Sequence, residues 1–144
     1  MVLGITLAFS REHTLSFSLA VLTLGSALLL HLAANLLNDY LDHVGGSDEA
    51  NNEFTRPFSG GSRVIQLGLL SPAAVLGAAL LCAAAGVTMG IYLALAVGIW
   101  VWVIGILGVL SLVMYSIPKI GLASSGFGEL VVGVNFGPLM VLGA

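Results

Sequence analysis

Asn35, Asn38, Asp39 and Asp42 form an acid and amide cluster at the end of a long apolar segment. A charged side chain beside hydrocarbon is costly, so several polar groups in such a place indicate a cavity that binds a cation or a substrate. In a helix these residues fall on one face, at steps of three and four. That face offers oxygen ligands, which suit Mg²⁺, an ion that keeps some of its waters and is commonly shared with substrate phosphates.

A polar segment of mixed charge follows the cluster and runs to Gln66. It adds a further carboxylate at Asp48 and two guanidinium groups at Arg56 and Arg63. Arginine grips phosphate oxygens with a bidentate fork. Carboxylates that hold a metal, followed by arginines that hold an anion, indicate a metal and diphosphate clamp. Farther along the chain, Tyr115 and Lys119 set a phenol and an ammonium group after another apolar segment.

The composition places these residues in a membrane protein. Hydrophobic residues make up 58% of the chain and charged residues 8%, against roughly 25% charged residues in soluble domains. The mean hydropathy is +1.09. The net charge of −3 is too small to indicate a partner, and nothing in the pattern favours nucleic-acid binding. The single Cys82 gives no disulfide framework.

The apolar runs predict an all-α, multi-span transmembrane bundle of about four full helices with a partial helix before them. Ser71 followed by Pro72 is a favourable start for the second full span. Glu129 and Asn135 lie inside the last apolar segment, and their roles stay open. The predicted segments are a stub over 1–9 and spans over about 15–37, 72–92 and 94–115, with a last span from 126 onwards.

The basic residues orient this bundle. The second and third spans form one hairpin, so the loop after the acid cluster and the loop after the third span face the same side. Arg56, Arg63 and Lys119 share that side, and Arg11 lies on the other. The positive-inside tendency makes the side that carries the acid motif cytoplasmic.

These motifs resemble those of the UbiA superfamily of intramembrane prenyltransferases. The resemblance rests on Asn38-Asp39-Tyr40-Leu41-Asp42 with a further acid at Asp48, on Tyr115 and Lys119 at the ends of Tyr-x-x-x-Lys, and on Gly126-Phe127-Gly128-Glu129. The sequence of the first motif is most similar to that of the 1,4-dihydroxy-2-naphthoate polyprenyltransferases of menaquinone synthesis. The commoner family pattern has an acid at the position of Gly46, whereas here the acid comes at Asp48.

The resemblance implies a fold of about nine helices with a second aspartate-rich motif in its later half. No such motif occurs in residues 1–144, so the chain is expected to be a single, truncated prenyltransferase domain that corresponds to the first half of such an enzyme and is inactive alone.

The resemblance also implies Mg²⁺-dependent transfer of a polyprenyl group from a polyprenyl diphosphate to an aromatic acceptor, in the bilayer of the cell inner membrane. The implied metal ligands are Asn38, Asp39, Asp42 and Asp48. The implied substrate-binding residues are Asn35, Arg56, Arg63, Tyr115 and Lys119. The implied catalytic residues are Asp39, Asp42, Tyr115 and Lys119.

One alternative from another class is a transporter or channel whose acids line an ion path. Such a protein would place ionisable residues near the middle of the membrane in discontinuous helices. In this sequence most charges cluster at one predicted membrane face and include arginines suited to diphosphate, which favours the enzyme. An inactive fragment that assembles with another chain is the remaining alternative.

Overall fold

The computed structural model describes residues 1–46, 62–116 and 127–144, apart from the side chains of Leu112, Tyr115 and Ser116. Every regular element within these ranges is helical, which confirms the predicted all-α class. The elements are α1 (Val2–Glu12), α2 (Phe17–Gly45), α3 (Pro72–Val97), α4 (Ile99–Ser116), α5 (Gly128–Val134), a π-helix (Asn135–Leu139) and α6 (Met140–Leu142).

Two of the described helices, α2 and α3, are long and apolar enough to cross a membrane. The other two predicted spans correspond to α4 and to the helical stretch from Gly128 to Leu142, which are shorter. Large apolar side chains on α2 and α3 stay exposed, for example Leu28 at 59% and Leu81 at 74%. A helix that is apolar around most of its circumference and exposed in this way is suited to a lipid environment.

Serine caps begin both long helices. The Ser16 hydroxyl accepts a hydrogen bond from the backbone N–H of Leu19 at 3.5 Å. The Ser71 hydroxyl accepts one from the N–H of Ala74 at 3.2 Å, and Pro72 occupies the first turn. Each cap satisfies a backbone donor that has no partner within the helix. The predicted start of the second full span at Ser71 and Pro72 is therefore confirmed.

The helix α2 continues about two turns beyond the predicted end near residue 37. Its last residue is Gly45, and the capping residue Gly46 has a φ of 73°, a left-handed conformation that glycine adopts without a steric penalty. Its 29 residues make a rod of about 43 Å at the helical rise of 1.5 Å per residue. A hydrocarbon layer is about 30 Å thick. The apolar run therefore marked the part of α2 that fits the hydrocarbon layer, and the polar residues after it extend the same helix.

The pair formed by α2 and α3 is the main packing contact of the bundle. The Ser26 hydroxyl lies buried and donates to the carbonyl of Gly86 at 2.9 Å. A Cβ atom added at Gly86 would lie 2.9 Å from Cγ of Leu30, and one added at Gly90 would lie 3.6 Å from the Ser26 hydroxyl. Because the later residue of α2 meets the earlier residue of α3, the two helices are antiparallel. The glycine pair of α3, Gly86 and Gly90, permits this close approach.

The C-terminal helical stretch packs against α1 and α4. A Cβ atom added at Gly4 would lie 2.5 Å from the carbonyl oxygen of Val141, so only glycine fits there. Pro138 lies inside the π-helix, where the N–H of Met140 bonds to the carbonyl of Asn135. The ring of proline cannot continue a regular α-helical ladder, and the wider π turn accommodates it. The helical irregularity at Pro138 therefore takes the form of a π-helix.

Candidate functional site

The acid and amide cluster lies on the last two turns of α2. Asn38, Asp39 and Asp42 are half-buried. The side-chain amide nitrogen of Asn38 donates to a carboxylate oxygen of Asp42 at 2.7 Å. Since the nitrogen is engaged by Asp42, the amide oxygen is the atom that Asn38 can offer to a cation. The bond also fixes the direction of the Asp42 carboxylate, so that the cluster is organised by its own helix.

A serine from outside α2 joins the cluster. The Ser62 hydroxyl donates to a carboxylate oxygen of Asp39. The chain after Ser62 folds into a compact turn in which the N–H of Leu67 bonds to the carbonyl of Arg63 at 3.0 Å, and Ile65 is buried. Arg63 itself has a positive φ of 51°. The predicted diphosphate ligand Arg63 directly follows Ser62, the residue that contacts Asp39.

Sequence reasoning did not single out Ser62. Its only signal was its place beside Arg63, at the end of a glycine-rich run. A hydroxyl is too common in loops to be assigned to a site by type alone. The contact with Asp39 depends on the turn that returns the chain towards α3, and this turn was not predicted.

A second polar group lies deeper on the same face of α2. The side-chain nitrogen of Asn35 donates to the backbone carbonyl of His31 at 2.8 Å and lies 3.3 Å from Nε2 of the same histidine. The rings of His31 and Phe136 meet edge to face, with centroids 5.1 Å apart and planes at 85°. The structure places His31 beside the predicted substrate residue Asn35 and in contact with the C-terminal helical stretch.

This polar face of α2 lies outside the interface between α2 and α3. With about 100° of rotation per residue, Ser26 and Leu30 lie on one side of α2, and the cluster that ends at Asp42 lies on another. The antiparallel register, continued along the pair, brings Asp42 level with the first turn of α3. A helix N-terminus carries a partial positive charge of about half a unit, which favours negative charge at this end of the pair.

One buried nitrogen adjoins the cluster. Nδ1 of His43 has no hydrogen-bond partner among the described residues. An unsatisfied buried polar atom costs about 1–3 kcal/mol, so it marks a place where water or a ligand has a polar group to bind. His43 follows Asp42 directly on the last turn of α2.

Several predicted site residues lie outside the described part of the chain. Asp48, Arg56 and Lys119 belong to this group. Tyr115 lies in the last turn of α4, and its side chain is not described. The predicted meeting of the tyrosine and lysine pair with the acid cluster therefore stays a prediction. Of the residues with open roles, Glu129 is exposed in the first turn of α5.

The cluster fits magnesium better than a transition metal. Within residues 1–46, 62–116 and 127–144, no three histidine, cysteine or acidic side chains come together. The described oxygen donors are the carboxylates of Asp39 and Asp42 and the amide of Asn38. Magnesium is commonly bound by one or two carboxylates, with waters and substrate phosphates completing its octahedron. A partly exposed pair of carboxylates leaves room for those further ligands.

Comparison with known proteins gives matches along the whole chain. The model of the UbiA prenyltransferase family matches residues 1–144. A 1,4-dihydroxy-2-naphthoate octaprenyltransferase of Mycobacterium tuberculosis is 34% identical over 124 residues, which cover 86% of this chain and 40% of that protein. The enzyme of the same name from Bacillus subtilis is 29% identical over 143 residues, which cover 99% of this chain and 43% of that protein.

A third relative of that name, from Mycobacterium leprae, is 30% identical over 131 residues, 91% of this chain and 42% of that protein. The chain thus spans less than half the length of each of these relatives. No solved structure matches it. The family match over residues 1–144 agrees with the acid motif on α2 and with the helical architecture. The chain belongs to the UbiA prenyltransferase family.

Proposed function

We propose that the whole protein transfers a polyprenyl group from a polyprenyl diphosphate to 1,4-dihydroxy-2-naphthoate. The observation that carries the proposal is the oxygen cluster at the end of α2, where Asn38 orients Asp42 and a returning turn contacts Asp39. Family membership supports prenyl transfer. The names of three relatives, each a 1,4-dihydroxy-2-naphthoate octaprenyltransferase, support the choice of acceptor.

The proposed metal is Mg²⁺, held by Asn38, Asp39 and Asp42, with Asp48 as a further ligand. When bound, the ion stabilises the negative charge that develops on the leaving diphosphate. Arg56, Arg63 and Lys119 contact the diphosphate oxygens in this proposal, and Asn35 and Tyr115 complete the binding site. The cations contribute by lying where charge accumulates as the bond to the prenyl carbon breaks.

The proposed reaction begins with cleavage of the bond between the allylic carbon and the diphosphate oxygen. The diphosphate leaves with the electron pair, and an allylic cation remains. The acceptor ring attacks this cation and forms a new carbon–carbon bond at the carbon that carries the carboxylate. That carboxylate then leaves as CO₂. The ring face of Tyr115 is proposed to shield the cation, and exclusion of water from the apolar cavity prevents its capture.

The proposed setting is the cell inner membrane, with the acid motif at the cytoplasmic face. This proposal rests on the basic residues assigned to that side, Arg63 among them. The position of the acids also argues against the ion-path alternative. In the described part of the chain, acidic side chains lie near helix ends, at Glu12, Asp39, Asp42 and Glu129, and none lies at the middle of α2 or α3.

The proposal is tested with the whole protein in membranes, supplied with polyprenyl diphosphate, Mg²⁺ and dihydroxynaphthoate. Asp39→Ala and Asp42→Ala are each expected to reduce turnover by about a hundredfold or more, because a lost metal ligand removes several kcal/mol of stabilisation of the leaving group. Glu12→Ala is the matched control, since this exposed acid lies on another helix. Its turnover should stay within about twofold of the original.

Two outcomes would overturn parts of the proposal. Full turnover in the Asp39→Ala and Asp42→Ala variants would remove the metal assignment. Product formed with 4-hydroxybenzoate and not with dihydroxynaphthoate would keep prenyl transfer and replace the acceptor.

A further inference from the structure

His31 and Asn35 lie exposed on the polar face of α2, nearer the middle of that helix than the proposed metal site, and Phe136 of the π-helix contacts His31. His31 is the middle residue of α2 (Phe17–Gly45). A polar side chain at the centre of a membrane span is costly unless it faces other polar groups or a cavity. The proposed metal and diphosphate chemistry does not use His31, so its place on this face requires a separate explanation.

The three residues are held in a defined arrangement. One hydrogen of the Asn35 amide goes to the backbone carbonyl of His31 at 2.8 Å, and the amide nitrogen lies 3.3 Å from Nε2 of the imidazole. Since an amide nitrogen donates, Nε2 accepts and the imidazole proton lies on Nδ1. The edge of His31 away from Asn35 therefore presents an N–H donor.

Phe136 is the aromatic member of this cluster. Phe136 meets His31 edge to face at 5.1 Å and 85°, so two perpendicular rings form a corner against which a flat molecule can stack. Phe136 belongs to the π-helix, and π-helical turns occur frequently at functional sites. A largely apolar cavity of about 220 Å³ extends from both rings along α2, on the side of His31 away from Asp39, and Ala27, Leu28 and Met140 are among its lining residues.

The spacing along α2 fits a molecule between this corner and the metal site. Asn35 lies about 6 Å below Asp39 along the helix axis, and His31 lies about 12 Å below it. A prenyl diphosphate held at Asp39 directs its allylic carbon away from the metal and into the apolar interior. The ring that attacks this carbon must lie next to it, in the interval between Asp39 and His31.

We infer that His31, Asn35 and Phe136 form the subsite for the aromatic acceptor, with Nδ1 of His31 donating to an oxygen substituent of the ring and Phe136 stacking on the ring. The inference rests on the proposed function and adds the residues that recognise the acceptor. His31 is a specificity-determining residue in this scheme, and the metal site is expected to work independently of it.

The test measures KM for each substrate with the whole protein in membranes. Asparagine places its amide nitrogen near the position of Nδ1, whereas glutamine places it near Nε2. His31→Gln should therefore raise KM for dihydroxynaphthoate by about tenfold to a hundredfold, the effect of losing a hydrogen bond to a charged or strongly polar group. His31→Asn should retain most of the affinity, and KM for the prenyl diphosphate should change little in both variants.

Two further variants separate recognition from packing. Phe136→Leu keeps an apolar side chain and removes the ring, so KM for the acceptor should rise about threefold to tenfold. His13→Asn is the matched control, because His13 lies at the end of α1 with a φ of 54°, a conformation that asparagine tolerates. Its KM values should equal those of the unchanged protein. If His31 variants do not accumulate in the membrane, Phe136→Leu provides the same test.

Three results would overturn the inference. One is an unchanged acceptor KM in His31→Gln and Phe136→Leu; the second is a larger rise in KM for the prenyl diphosphate than for the acceptor. The third is equal loss in His31→Asn and His31→Gln, which would indicate a packing role. Failure of the unchanged protein to prenylate dihydroxynaphthoate would instead contradict the proposed function, so the two failures are distinguishable.

Discussion

The close contact between α2 and α3 predicts a specific sensitivity at Gly86. A methyl group added there lies 2.9 Å from Cγ of Leu30 and 3.2 Å from the backbone nitrogen of the same residue. Neither atom is the free end of a side chain, so α2 must shift to make room. Overpacking of this kind costs about 1–3 kcal/mol. The change from glycine to alanine inside a helix contributes about 1 kcal/mol in the stabilising direction.

Gly77 provides the matched control for the helix term. It lies on the same helix, and within the described residues no atom comes within 4 Å of an added Cβ. The helix term is common to both changes, so the difference between them isolates the packing cost. Gly86→Ala is therefore expected to be about 1–3 kcal/mol less stable than Gly77→Ala.

The measurement is the free energy of unfolding of the purified whole protein in mixed micelles. Helix content is followed by circular dichroism while the fraction of denaturing detergent is increased. Equal free energies of unfolding for Gly86→Ala and Gly77→Ala would refute the antiparallel contact at Leu30. A larger loss for Gly77→Ala would show that another part of the protein covers that face of α3.

Three further predictions concern other contacts. Ser26→Ala removes the buried hydroxyl that donates to α3 at 2.9 Å. The free energy of unfolding, measured in the same way, should fall by about 0.6–1.7 kcal/mol. An unchanged free energy of unfolding would contradict this hydrogen bond. Ser62→Ala removes the donor to Asp39, so half-maximal activity should require about tenfold more Mg²⁺. Ser62→Thr keeps a hydroxyl and should restore the original Mg²⁺ requirement. An unaltered Mg²⁺ titration in Ser62→Ala would argue against an orienting role for the hydroxyl. Gly4→Ala places a methyl group 2.5 Å from a carbonyl oxygen of α6, so the melting temperature in detergent should fall. An unchanged melting temperature would contradict the packing of α1 against α6.

Part of the fold was predictable because apolar length and helix caps are local properties. The cap at Ser71 and the near absence of a loop between α3 and α4 follow from residues close in sequence, and Gly98 alone separates those helices. The end of α2 was not predicted, because hydropathy falls at Asn38 while the backbone continues as a helix to Gly45. Hydropathy indicates where lipid ends, and this is a different boundary from the end of the helix.

The helical placement of the acid and amide cluster was predictable to the same degree. Spacing alone put Asn38, Asp39 and Asp42 on one helix face, and the structure confirms that they lie together on the last turns of α2. The bond from Ser62 to Asp39 joins residues far apart in sequence. It depends on a turn whose direction is set by tertiary packing, so no local pattern predicted it. The contact between His31 and Phe136 has the same origin, since it requires the C-terminal stretch to pack beside α2.

Three polar side chains on the described helices are satisfied in the same way, and this explains how apolar helices retain groups for chemistry. The amides of Asn35 and Asn135 each donate to the backbone carbonyl four residues earlier, both at 2.8 Å, and the Thr88 hydroxyl does the same at 2.7 Å. Such a bond removes the cost of leaving a donor unpaired in an apolar setting. In asparagine the bond engages the amide nitrogen and leaves the amide oxygen available to bind a ligand. A sequence that needs oxygen ligands within a membrane can therefore place asparagine on a helix, with the helix itself satisfying the nitrogen.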